Sequence, residues 1–171
     1  MGPLRAAAPG SARAAPRRNA PAVAGGWTLI ELLLIVAILG VILMILVPLF
    51  VQTLERMRVR RAIVDMRLID TEIGLFRDRE EALPASLDDL PLGFAQRPDP
   101  WGRPYVYFLF EGHGWRGQAR KDRFLVPINS EYDLYSVGPD GESRPPLQNP
   151  RSLDDVVRAN DGGFYGLGRD F

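Results

Sequence analysis

Two hydrophobic patterns share the first half of the chain. From Leu32 to Val51, twenty consecutive residues carry neither a charge nor a strongly polar group. At about 1.5 Å per residue, a helix of that length spans roughly 30 Å, the thickness of a bilayer's hydrocarbon core. Gly40 and Pro48 lie inside the run, and both residue types are tolerated in membrane helices. Beyond it, Leu54, Val59, Ala62, Ile63, Met66, Ile69, Ile73 and Phe76 recur mostly three or four apart. That is the single apolar stripe of an amphipathic helix. If Pro48 only bends the backbone, Trp27 to about Arg79 forms one rod about 80 Å long. Gly74 interrupts the stripe, either for close approach of a loop or as a flexible point.

The second half reads differently. Glu81-Ala82-Leu83-Pro84 ends the rod, because proline disfavours helix in the residue before it. Ser86 has the chemistry to cap a short helical turn through Leu90. Arg97 to Tyr105 is rich in proline and glycine, and alternating Val106 to Phe110 follows, a turn feeding a strand. A glycine-rich connection (Gly112 to Gly117) leads to strand candidates at Phe124–Ile128 and Tyr132–Val137. The predicted class is α+β: a long N-terminal helix whose C-terminal half carries a small antiparallel sheet.

Charge refines this picture. The 171 residues balance 21 basic against 21 acidic side chains. Arg5, Arg13, Arg17 and Arg18 precede residue 27 with no acid among them, so the remainder is net acidic by four. A basic leader ahead of an apolar span keeps the N-terminus in the cytoplasm and sends the rest across. Arg56, Arg58, Arg60 and Arg61 oppose that tendency from the far side. Residues 1–24 lack hydrophobic periodicity and read as a disordered leader. The basic residues after Val51 alternate with acids, which argues against nucleic-acid binding.

There is no cysteine, so no disulfide fastens the loops. The single histidine, His113, sits among glycines and reads as a solvated loop residue. A zinc site or a serine–histidine–aspartate triad needs more partners than these. No loop has the spacing that cradles phosphate. Catalysis is not expected.

Glu31 remains to be explained, since an acid at the mouth of an apolar segment is costly and asks for a partner. Gly26-Trp27-Thr28-Leu29-Ile30-Glu31, followed by the apolar run, resembles the processing site of type IV pilins and type II secretion pseudopilins. The resemblance implies cleavage by a membrane-embedded aspartic peptidase between Gly26 and Trp27, with methylation of the new N-terminus. Trp27 stands where the family usually has Phe. Glu31 falls on the family's glutamate, which pairs with a neighbouring subunit's N-terminal amine in the filament; a plain headgroup-layer carboxylate is the alternative. Pro48 falls on the helix-bending proline.

Asp99-Pro100-Trp101-Gly102 with Pro104-Tyr105-Val106-Tyr107, and Tyr132 to Gly141, are similar to stretches of the major pseudopilins of type II secretion. That likeness implies a calcium site in the C-terminal loop. Asp140 and one of Asp154 or Asp155 would supply carboxylates, and Val137 a backbone carbonyl. Calcium takes roughly six to eight oxygen ligands. Here Arg144-Pro145-Pro146 replaces the family's glycine-rich segment, and Asp-Gly is equally the signature of a turn. Trp101, Tyr105 and Tyr107 are expected in the core or at subunit contacts rather than as a stacking surface.

The resemblance therefore implies four segments: a cleaved leader (1–26), a transmembrane and assembly half of the helix (27–51), its amphipathic half (52–80) and a sheet domain (81–171). It implies an inner-membrane subunit with a periplasmic domain, drawn into a pseudopilus that drives export of folded proteins. Partners would be copies of itself, minor pseudopilins, the prepilin peptidase, and the assembly platform with its ATPase. A type IV pilin of a surface fibre is the nearest alternative, and a single-span anchored domain a more distant one.

Overall fold

The computed structural model describes residues 26–90, 93, 95–111 and 114–171. The basic leader and His113 lie outside the described residues. Helix α1 runs from Leu29 to Glu80, within two residues of the expected bounds. The chain divides into two compact units, residues 1–43 and 44–171.

In the first unit every described residue, Gly26 to Leu43, is exposed. Helix α1 as a whole is, by length and composition, long and apolar enough to cross a membrane. Exposure of Leu32, Leu39 and Ile42, each at least 49% open, is what an element built for lipid or for other helices would show.

The second unit contains the rest of α1, and α1 continues through Pro48. The apolar stripe there is real but narrower than the spacing suggests. Ala62, Met66, Ile69 and Ile73 are buried, Val59, Ile63 and Phe76 partly so, and Leu54 stays exposed. No described atom comes within 4 Å of where a Gly74 side chain would begin, so close approach is not its role.

Over the stripe lies a four-stranded antiparallel sheet in sequential order: β1 (Val106–Leu109), β2 (Tyr132–Ser136), β3 (Val156–Ala159) and β4 (Phe164–Leu167). A short helix, α2 (Trp115–Gln118), sits in the β1–β2 connection. The two-residue period of strands sorts the side chains. Tyr132, Leu134 and Val156 join the cluster under α1 with Tyr105, Leu90 and Ala95. Val157 and Ala159 face the other way, onto Ile128 and Leu147, with Tyr135, Phe164 and Phe171 around them. Each fully buried aliphatic side chain contributes roughly 1.5–3 kcal/mol.

Ser86 caps a short 3-10 turn as expected. Its hydroxyl accepts the Asp88 N–H (3.2 Å), while the Asp89 carboxylate accepts the Ser86 N–H (2.9 Å).

Two expectations about strands fail. Phe124–Ile128 is a loop: Phe124 is 90% exposed and only Ile128 reaches the core. Pro127 within the run cannot donate to a ladder. The last two strands were not expected at all. They form a hairpin over Asn160 to Gly163, with Val156 opposite Leu167 and Ala159 opposite Phe164.

Candidate functional site

The head of α1 is a capping arrangement. The Thr28 hydroxyl accepts the Glu31 N–H at 3.3 Å, and the Glu31 carboxylate accepts the Thr28 N–H and O–H, each at 3.4 Å. This is the reciprocal pairing of a capping box, with an acid in the first turn where the helix dipole favours it. The contacts are long and the group is exposed, so Glu31 keeps acceptor capacity for a cation from elsewhere. Gly26 and Trp27 precede the helix. No described atom lies within 4 Å of a built Gly26 side chain, and Trp27 is 72% exposed. No described residue covers the Gly26–Trp27 peptide.

The second region is the loop between β2 and β3, residues 137–155. It starts from the Asp99 turn. The buried Asp99 carboxylate accepts the N–H groups of Trp101 (3.0 Å) and Arg103 (2.8 Å), and the Ser136 hydroxyl at 2.5 Å. Arg103 is thereby aimed at the loop, where its Nη1 donates to the carbonyls of Gly138 (2.5 Å) and Pro139 (3.3 Å). Gly138 has φ of +67° and passes so close to Asp154 that a Cβ would sit 2.5 Å from its carbonyl oxygen. Only glycine fits there.

The four residues assigned to calcium are brought into this loop but not onto one point. Asp154 and Asp140 are neighbours, with the Asp140 N–H donating to Asp154 Oδ2 at 3.3 Å. Asp140 also caps its own turn by accepting the Glu142 N–H at 2.8 Å. Asp155 is fully buried and turned away. Its Oδ2 takes a very short contact from Arg120 Nη2 and a hydroxyl from Ser143 at 2.8 Å. Among the described residues, no three acidic, histidine or cysteine side chains converge here. Of the two acids offered as alternatives, Asp154 lies beside Asp140, whereas Asp155 already has a cation in Arg120.

Arg120 is the residue that sequence reasoning missed. Its side chain is 3% exposed. Nη1 contacts the Ser143 hydroxyl closely and the Arg144 carbonyl at 2.9 Å. The guanidinium lies 4.3 Å from the centre of the Tyr135 ring, a cation–π distance. Its backbone N–H donates to the buried Asp133 carboxylate at 2.6 Å. Burial pushes the Asp155 carboxyl above its ordinary range, and Arg120 pulls it back. A lone arginine in a loop gives no sequence signal of this kind.

The aromatic residues of the Asp99–Tyr107 motif serve the core. Tyr105 is buried and donates its hydroxyl to Asp65 (3.2 Å); Trp101 Nε1 donates to Glu55 (2.9 Å); Tyr107 donates to the Pro84 carbonyl (3.0 Å). Asp70 of α1 gathers more. It accepts the hydroxyls of Tyr132 on β2 and of Tyr165 on β4 (2.6 Å for the latter), and Arg158 Nε on β3 lies 2.7 Å away.

No family model matches the chain, and no solved structure matches it. Two curated proteins are similar to it. Type II secretion system core protein G of Pseudomonas aeruginosa is 27% identical over 137 residues, 68% of this chain and 84% of the relative. The protein of the same name from Escherichia coli K12 is 26% identical over 136 residues, 68% of this chain and 83% of the relative. The likeness read from two short motifs thus extends over most of both chains.

Proposed function

We propose, from that likeness, that the chain is a pseudopilin subunit of a type II secretion system. It would be processed after Gly26, lodged in the inner membrane through α1, and assembled with copies of itself into a periplasmic pseudopilus that moves folded cargo. The peptidase, the assembly ATPase and the minor pseudopilins supply the chemistry and the starting point. This chain contributes surface and shape.

One observation carries the reading. The first stretch of α1 is apolar on every side and wholly exposed, while the second is apolar on one side and already covered by its own sheet. An all-round apolar helix needs lipid first and other such helices afterwards. Glu31 fits this scheme as an acid that finds a cation when helices pack, since a carboxylate in an apolar bundle is stable only when paired.

Co-expression with a prepilin peptidase and assembly motor tests it. Intact mass of the membrane-extracted protein should show loss of residues 1–26 plus one methyl group. Sheared filaments should contain the wild type, and Glu31→Leu should be cut normally yet drop out of filaments by at least about tenfold. An uncut chain that stays solitary supports a single-span anchored domain instead.

A further inference from the structure

We propose that the loop between β2 and β3 is closed by the Arg120 guanidinium, in the region where the pseudopilin resemblance puts calcium, so that this domain needs no divalent cation to hold it. The inference stands on the geometry of the sheet domain and is independent of whether the subunit assembles.

The loop has to bring Asp155, at the foot of β3, back against its own middle at Ser143 and Arg144. Two carboxylates are buried under it, Asp155 and Asp133, each nearly sealed from water. Buried acids need a positive charge or several donors close by. A metal ion would supply that charge and collect carbonyl oxygens as well. Arg120 does both from within the chain. One guanidinium nitrogen meets Asp155, another takes the Ser143 hydroxyl and the Arg144 carbonyl, and the backbone N–H takes Asp133. The planar fork suits this better than a lysine, which would bring one compact charge to several acceptors. The Tyr135 ring closes one face of it.

A second guanidinium works the other end of the loop. Arg103 occupies the carbonyls of Gly138 and Pro139, and a Cβ on Gly141 would fall 2.6 Å from its guanidinium carbon. The loop is wrapped onto that cation. Of the carboxylates assigned to calcium, Asp155 is held by Arg120, and the neighbouring carbonyls of Gly138, Pro139 and Arg144 are held by two arginines, one buried and one at the rim. Asp140 and Asp154 stand beside each other with a single shared contact between backbone and side chain.

The experiment uses the full chain in detergent, stripped with EDTA and then titrated with calcium chloride, read by thermal melting and calorimetry. The expected result is no binding heat and no rise in Tm. A site occupied a hundredfold above its Kd would raise Tm by about 5 °C or more. Arg120→Met should lower Tm by about 10 °C or more, because it leaves Asp155 buried without its cation. The pair Arg120→Met with Asp155→Leu should recover most of that loss, since an apolar pair of similar volume leaves no uncompensated charge. Should Arg120→Met fail to fold, the double variant and the wild-type calcium titration still decide the matter. Calcium heat that disappears in Asp154→Asn, together with a rise in wild-type Tm, would overturn the proposal and place a metal on Asp140 and Asp154. So would a double variant no more stable than Arg120→Met alone.

Discussion

Residues 32–51 and 59–76 belong to one helix and live by different rules. The earlier stretch spends every position on apolar side chains and leaves all of them exposed. The later one buries the apolar side chains of Ala62, Met66, Ile69 and Ile73, with Glu72 beside them, and exposes charge elsewhere. The difference is one of surroundings rather than of helix propensity. A face covered by the protein's own sheet can be narrow because water takes the rest, whereas a segment meant for lipid has no polar side to offer.

That contrast predicts where truncation hurts. Leu134→Ala, on the face of β2 that packs against α1, should cost about 2–5 kcal/mol of unfolding free energy, measured by denaturant melts in detergent. Leu39→Ala, in the exposed stretch, should change the same transition by less than about 0.5 kcal/mol. Equal costs at both positions would erase the distinction. Gly138→Ala should follow at about 1–3 kcal/mol, because the backbone is left-handed there and the new methyl meets the Asp154 carbonyl.

The smallest effect is a pH dependence, and it belongs only to the covered region. Burial pushes the Asp133 carboxyl above its ordinary range, with the Arg120 N–H and the Asn129 amide pulling the other way. The folded state then binds that proton more tightly than the unfolded one. Its contribution to stability is full below the ordinary carboxylate value of about 4 and is lost as pH rises through the folded value. Wild type should therefore gain on Asp133→Asn as pH falls from neutrality toward about 4, read as a narrowing or reversal of their Tm difference. A constant gap across that range would contradict the assigned direction.

The helix, its end at Pro84, the Ser86 cap, the strand after the Asp99 turn and the strand at Tyr132 were legible because each rests on local chemistry: a period, a breaker or a cap. The final hairpin was not read, although Asn160-Asp161-Gly162-Gly163 between two four-residue runs is a hairpin signal. Asp154 and Asp155 carry the stronger signal, that of metal ligands, directly before the Val156-Val157 run. Phe124–Ile128 misled because five mostly apolar residues resemble a buried strand whether or not anything covers them. Gly26, Trp27 and Glu31 are expectations of another kind, because their meaning lies in sequence order rather than in contacts. The site was illegible at Arg120, whose importance comes from Asp133, Ser143 and Asp155 meeting across the fold.

Asp70 has a mechanical consequence. Phenols from β2 and β4 and a guanidinium from β3 all converge on this one side chain of α1. Three of the four strands are thus pinned to the shaft at a common point. Load passed through this part of α1 would reach β2, β3 and β4 together at Asp70, so these strands would be carried as one piece instead of being peeled away one by one.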